Sequence, residues 1–134
     1  IWRLFRKEFS IDNKKVLLYL NSCYRSYNNQ LILYRYTKDK NTVANPWHSE
    51  HQLWLAIDIK VRINWRISPL TKEHLNFLEN KMHIFWFHQS YQNWKDIDWY
   101  AIEPWHWRYV WVDIANYLYN QWITYSQFYK NTTE

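Results

Sequence analysis

The residues best suited to chemistry lie in one short segment, Trp47-His48-Ser49-Glu50-His51. It offers two imidazoles three residues apart with a carboxylate between them, and both groups can bind zinc. A zinc site needs three or four ligands, however, and the His-Glu-x-x-His pattern of zinc peptidases differs from this order. The other histidines show no ligand spacing: His74, His83, His88 and His106. The sequence therefore predicts no metal site and no cofactor.

Other reaction chemistries also find only partial support. His48-Ser49-Glu50 matches half of a zinc-deaminase signature, but the Pro-Cys-x-x-Cys half is missing because Cys23 is the single cysteine. An acidic loop with Asp96, Asp98 and Glu103 could pair carboxylates for acid–base work, although a solvated loop is the favoured interpretation. Because no set of nucleophile, base and orienting group emerges, we expect no catalytic residues and predict that the protein is not an enzyme.

Glycine is missing from all 134 residues, whereas ordinary usage near ~7% predicts about nine. P-loops, Rossmann turns, nucleophile elbows and KH clamps all require glycine, so the standard forms of these sites are excluded. Positions with positive φ should fall to Asn or Asp, the next most tolerant residues. The 13 asparagines fit that need.

The elements that must position any site follow from the apolar pattern. Alternate residues are apolar over 53–67, which predicts one long, half-buried central strand, bent or bulged because of its length. Residues 31–36 predict another strand, and 71–82 a short helix that begins at Thr71. Apolar residues spaced three and four apart predict a long C-terminal helix over about 107–129, although alternation over 105–111 also fits a strand. The result is a single α+β domain, residues 1–134, with an antiparallel sheet.

Positive charge is concentrated in the first half of the chain. Residues 1–67 carry a net charge of +7 and residues 68–134 a net charge of −2, within a total of +5. Such asymmetry is typical of a face directed at a polyanion, although charge on a strand's outer face is also typical of any half-solvated sheet. The predicted RNA-binding residues are Lys60, Arg62, Arg66, Arg3, Arg6, Lys7, Lys14, Lys15, Arg25 and Arg35.

The composition points to an unusual genetic origin. Gly, Ala and Pro, which use GC-rich codons, are absent or scarce, and Asn, Ile and Tyr are abundant, which indicates an AT-rich gene. Eleven Trp residues contradict that bias unless UGA is also read as Trp, and the chain begins with Ile1. In these features the composition resembles proteins encoded in ciliate mitochondrial genomes. That resemblance implies the mitochondrial matrix as location, and a ribosomal or respiratory-chain protein as class.

These observations lead to one functional hypothesis and two alternatives. The first is a structural, RNA-contacting component of a mitochondrial ribosome, with rRNA and neighbouring proteins as partners and no small-molecule substrate. Aromatic residues make up 22% of the chain, which suits burial inside such an assembly. The second is a peripheral, non-catalytic subunit of a respiratory-chain complex, and the third a small enzyme or designed domain. No apolar run of ~18 residues exists, so we expect no transmembrane segment.

Overall fold

A computed structural model describes residues 9–11, 14–93 and 95–133. Its centre is a six-stranded antiparallel sheet in which β1, β2, β3, β6 and β5 are neighbours in that order and β4 pairs with β3. The strands are β1 (Phe9–Ile11), β2 (Lys14–Ser22), β3 (Ala56–Ile63), β4 (Arg66–Ser68), β5 (Phe87–Gln89) and β6 (His106–Tyr109). The helices are α1 (Tyr27–Tyr36), α2 (Lys72–Glu79), α3 (Lys95–Asp98), α4 (Val112–Gln121) and α5 (Tyr125–Thr133). The predicted α+β class with an antiparallel sheet is confirmed.

The predicted long strand forms the middle of the sheet but folds back on itself. β3 pairs with β2 along most of its length, and Ile63 then pairs with Arg66 across the two-residue loop of Asn64 and Trp65. Ile67 lies opposite Arg62 and therefore points to the face of Arg62, away from the buried face of Val61, so the apolar alternation in the sequence does not mark one continuous face beyond Ile63. The 15-residue strand is therefore a strand of eight residues and a short return strand.

Residues 31–36, predicted as a strand, belong to helix α1 instead. Ser26 caps the helix by accepting a hydrogen bond from the backbone N–H of Asn29, and the chain continues helically to Tyr36. A short apolar run such as Leu31–Leu33 fits either a strand or a helix, and the polar N-terminal cap decides between them. The strand prediction was wrong because it ignored that cap.

The C-terminal segment also differs from the single predicted helix. Residues 106–109 form strand β6, as the alternation over 105–111 allowed, and two helices follow. Helix α4 ends where Trp122 takes the left-handed conformation, with φ 55°. The predicted helix over 71–82 is confirmed as α2, although it ends at Glu79 and a 3₁₀ turn (Met82–Phe85) follows.

One apolar core joins the sheet to α2. Alternate residues of β2 and β3 face it, and Leu78, Met82 and Trp107 complete it from the other elements. The buried strand residues are Val16, Leu18, Ile59 and Val61. This packing holds β3 and β6 rigidly together. Among the described residues, no helix combines the length and the apolar character that crossing a membrane requires.

Replacing Leu78 by alanine should destabilise the fold strongly. Leu78 is fully buried in the core, so its truncation removes apolar contacts and leaves a cavity, a change that costs about 2–5 kcal/mol. Urea unfolding of the variant measures the loss. Ile67→Ala, on exposed strand β4, is the matched control and should change the free energy of unfolding by less than about 0.5 kcal/mol. Equal losses in both variants would contradict this account of the core.

Candidate functional site

The pairing of β3 with β6 brings an aspartate and a histidine together. In the antiparallel register Asp58 lies directly opposite His106, and both side chains are buried. The distance from His106 Nδ1 to Asp58 Oδ1 is 3.2 Å. Directly opposed residues in an antiparallel pair point to the same side of the sheet, so the contact follows from the strand register alone.

A 3₁₀ turn adds a second histidine to this pair. Glu50–Leu53 forms the turn, and the Nε2 of its buried His51 lies 3.3 Å from Asp58 Oδ1. The opposite ring nitrogen, Nδ1, contacts the backbone carbonyl of Cys23. If Nδ1 donates its proton to that carbonyl, Nε2 keeps its lone pair for the space beside Asp58. His51, Asp58 and His106 thus present one potential ligand atom each, all within 4.8 Å of one another.

Glu50, next to His51 in the turn, contacts the side of the His106 ring that faces away from Asp58. Its carboxylate lies 2.9 Å from His106 Nε2 and accepts hydrogen bonds from Arg108 Nη1 and from the Ser90 hydroxyl. Burial alone would raise the pKa of Glu50, but the hydrogen bond with His106 and the charge of Arg108 lower it to about 2. Burial likewise works against the charged form of His106, but its bonds to Asp58 and Glu50 raise its pKa to about 9. Glu50 therefore stays ionised and fixes the orientation of the His106 ring.

The three clustered groups open into a cavity of about 190 Å³. Glu103 lies on the same wall, in the loop just before β6, where a backbone bond from its N–H to the carbonyl of Tyr91 holds it. Burial raises the pKa of the Glu103 carboxyl to about 7. A carboxylate with this pKa can take up and release a proton near neutral pH.

Arg25 supplies positive charge to the cavity. Its Nη2 lies 3.8 Å from Asp58 Oδ2, and its Nη1 donates to the side-chain carbonyl of Gln30, which is fully buried in α1. The amide group of Gln30 in turn donates to the carbonyl of Ala44. Helix α1 therefore holds the guanidinium in place through Gln30.

The residues predicted to bind RNA do not gather around this cavity. Arg25 lies on its wall, whereas Lys60, Arg62 and Arg66 follow β3 and β4, and Arg35 is exposed in the last turn of α1. Lys15 lies on β2, and only the backbone of Lys14 is described there. Arg3, Arg6 and Lys7 lie outside the described residues. RNA contact by these residues stays a prediction that no observation tests.

Sequence reasoning missed the cluster although it considered two of its three residues, His51 and His106. It weighed His48 and Glu50 as partners of His51, whereas the structure pairs His51 with Asp58 and His106. It placed Glu103 with Asp96 and Asp98, but buried Asp98 instead binds the backbone N–H groups of residues 92 and 93 and the hydroxyl of Thr124. The available signals were the polar Asp58 in an apolar strand and the spacing Glu103-Pro-Trp-His106.

Glu50→Gln should lower the pKa of His106 in the metal-free protein. His106 titrates at about 9 in the folded chain against 6.5 in the unfolded one, so its stabilisation is complete below pH 6.5 and disappears as pH rises through 9. Removing the Glu50 charge should shift this loss to lower pH. NMR titration of the imidazole and unfolding curves across this range measure both effects. Glu73→Gln, exposed on α2, is the control, and a His106 pKa unchanged by Glu50→Gln would contradict the assignment.

Comparisons with known proteins identify the family of the chain. Residues 5–112 match the family model VanY, D-alanyl-D-alanine carboxypeptidase. A D-alanyl-D-alanine carboxypeptidase of Enterococcus faecalis is 31% identical over 132 residues, which cover 98% of this chain and 46% of the relative. The chain thus spans about half the length of that curated relative.

Two solved structures share the fold. A mutant of the vancomycin resistance D,D-pentapeptidase VanY, in complex with Zn(II), is 28% identical with a TM-score of 0.68, over 81% of this chain and 69% of that one. VanYB in complex with D-alanine-D-alanine is 27% identical with a TM-score of 0.68, over 89% of this chain and 73% of that one.

These likenesses overturn the functional hypotheses drawn from composition. The ribosomal and respiratory assignments, the rRNA partner and the lack of a small-molecule substrate were wrong, because the relatives are carboxypeptidases and one binds D-alanine-D-alanine. The prediction that the protein is not an enzyme falls for the same reason. The ciliate mitochondrial resemblance and the matrix location were wrong because the related carboxypeptidase is bacterial. Composition reflects the codon usage of the gene, whereas the side-chain cluster depends on the residues at a few positions.

The chain belongs to the VanY family of D-alanyl-D-alanine carboxypeptidases.

Proposed function

We propose that this chain is a zinc-dependent carboxypeptidase that removes the last residue from peptides ending in D-Ala-D-Ala. One observation carries the proposal: His51, Asp58 and His106 converge on a cavity whose wall also holds Glu103. A relative in the same family bears the name of this activity, and related structures contain Zn(II) and D-alanine-D-alanine.

The donor set fits zinc in kind and in spacing. Two imidazole nitrogens and one carboxylate oxygen make three protein ligands, which is the number that catalytic zinc sites use. Zinc bonds of ~2.0–2.1 Å in a tetrahedron place neighbouring ligand atoms roughly 3.3 Å apart. The ligand atoms of His51 and His106 lie 3.3 and 3.2 Å from Asp58 Oδ1. These two distances therefore match those between neighbouring ligands of a tetrahedral zinc ion, so the three side chains need to move little to bind it.

The contacts behind these ligands fit a metal site too. The carbonyl of Cys23 faces the second nitrogen of His51, and the carboxylate of Glu50 faces that of His106. Such partners fix the tautomer and the ring orientation of ligating histidines. When bound, zinc supplies Lewis-acid polarisation of the scissile carbonyl and lowers the pKa of nearby water.

Glu103 is suited to the proton transfers of peptide hydrolysis. With a pKa of about 7 its carboxylate can accept a proton from the attacking water and later deliver it to the leaving amine. Tyr91, packed against the His106 ring at 4.9 Å between centroids, and Trp105 line the same cavity and limit access of bulk water.

Arg25 and the cavity's size suit the end of a peptide. The guanidinium can bind an anionic oxygen of the substrate, either the terminal carboxylate or the oxygen that gains charge during attack. A cavity of about 190 Å³ accepts small side chains such as the methyl group of alanine. The small cavity and the positive charge of Arg25 together favour binding of a terminal D-Ala-D-Ala segment over binding of an internal peptide bond.

Zinc should stabilise the folded chain through Asp58. Adding zinc at about 100 times its Kd to chelator-treated protein should raise the free energy of unfolding by about 2.7 kcal/mol. Asp58→Asn removes the anionic ligand and should abolish most of this gain in thermal unfolding and in calorimetric titration. Asp113→Asn, exposed in the first turn of α4, is the matched control. Equal zinc stabilisation in both variants would refute the ligand assignment.

Glu103→Gln should lower kcat by about 10²–10⁴ and leave zinc binding intact, because Glu103 moves protons but does not ligate. Release of D-alanine from a synthetic peptide ending in D-Ala-D-Ala is the assay, and a peptide ending in L-Ala-L-Ala is the substrate control. The wild-type kcat/KM should rise with pH as Glu103 loses its proton, because burial holds the pKa of its carboxyl above the ordinary value. Glu79→Gln on α2 is the control variant. Full activity in Glu103→Gln would exclude this role.

A further inference from the structure

In the described part of the chain, tryptophan occupies almost every position whose backbone is left-handed. Among the described residues six non-glycine positions have positive φ, and only Asn64 is a residue that tolerates this conformation. The others are Trp47, Trp54, Trp86, Trp99 and Trp122, with φ between 55° and 72°. For a bulky residue such a φ is a genuine outlier, because the Cβ atom crowds the following carbonyl. The sequence predicts Asn or Asp at these positions, and that prediction was wrong.

These positions are the places where folds ordinarily use glycine. Trp54 and Trp86 end 3₁₀ turns and Trp122 ends α4, each with a backbone N–H bonded back to the preceding turn. Glycine is the usual residue at left-handed helix ends because it carries no Cβ. Asn64, the first residue of the two-residue loop between β3 and β4, is the described left-handed position whose residue suits that conformation.

The side chains at these positions contribute nothing to the core. Trp54 is 74% exposed and Trp122 83% exposed, and Trp54 stacks only on Tyr24, itself an exposed side chain. Trp107 is the opposite case, because it is 2% exposed, lies within β6 and packs in the core. Among the described residues, all five indoles on left-handed backbone are exposed, whereas Trp107 is buried in regular structure. A third group is exposed on backbone that is not left-handed: Trp65, Trp105 and Trp111.

We propose that the cell reads as glycine a codon that the printed sequence translates as tryptophan. The natural protein then carries glycine at five positions: Trp47, Trp54, Trp86, Trp99 and Trp122. The proposal accounts together for the lack of glycine in the printed sequence, for five of its eleven Trp residues and for the backbone conformation at those five. The proposal takes UGA as the codon concerned and expects UGG at Trp107. This inference stands on backbone geometry and composition, and it does not depend on the proposed activity.

The substitution also changes the surroundings of the site. Trp47 and Trp99 line a second cleft of about 510 Å³, together with Glu50, Arg108 and Tyr91. Glycine at both positions removes two indoles from the cleft's wall and widens the approach to the cavity. This consequence alone rests on the proposed function, since it concerns room for a peptide chain.

Mass spectrometry of the protein isolated from cells that carry the gene tests the proposal directly. Peptides that span the five positions should show the mass of glycine, and the peptide with Trp107 should show tryptophan. The gene should read UGA at the five positions and UGG at Trp107. Tryptophan in the natural protein at the five positions would overturn the proposal, and would point to selected surface indoles instead.

Stability of recombinant variants gives an independent test. Relative to the chain as written, Trp54→Gly should raise the folding equilibrium constant by roughly 5- to 30-fold, because it relieves a left-handed bulky residue. Trp107→Gly, the matched control, should lower the same constant because it empties a core position. If the chain as written does not fold, the five-glycine variant should restore cooperative unfolding. A loss of stability in Trp54→Gly, or no rescue by five glycines, would count against the proposal.

Discussion

The register of β3 against β6 is the constraint on which the site depends. With Ala56 opposite Arg108, Asp58 must lie opposite His106, and both must point to the same face. A shift by one residue would turn both side chains to the other face and place Ile57 and Trp107 in the cavity. The core prevents this shift, because Ile59 and Trp107 are buried on the opposite side of the same two strands. Apolar packing thus sets the geometry of a polar site that it does not touch.

The site also depends on a balance of buried charge. Asp58 and Glu50 are ionised carboxylates in a largely desolvated region, which would be costly without partners. Hydrogen bonds and cations offset this cost: His51 and His106 face Asp58, and Arg108 faces Glu50. Burial would raise the pKa of Asp58, but these bonds hold it well below its usual range. Glu103 has weaker compensation, and its pKa rises instead. Neighbouring carboxylates therefore have different protonation behaviour because their partners differ.

Much of the fold could be predicted from sequence, and little of the site. Period-two alternation within 53–67 identified the central strand because burial of one face imposes that pattern on β3, where Ile59 and Val61 are buried. Helix α1 was not predicted because a short apolar run has no decisive period. The break between α4 and α5 was not predicted because a tryptophan such as Trp122 does not indicate a helix end. The site was not predicted because strand pairing and a turn bring its residues together: His51, Asp58 and His106. Their spacing in the sequence does not indicate that they are close in space. Charge and composition, which were easiest to measure, said nothing about these three positions.

The distance along the chain between the clustered residues has a consequence for biosynthesis. Asp58 and His106 are 48 residues apart, and β6 is among the last elements to be made. A ribosome-bound chain that ends before His106 has Asp58 on an unpaired strand edge, with two ligands at most. The cluster of His51, Asp58 and His106 is therefore complete only after β6 has docked. In the proposed carboxypeptidase, an ion that needs all three groups would bind finished molecules and not partly made ones.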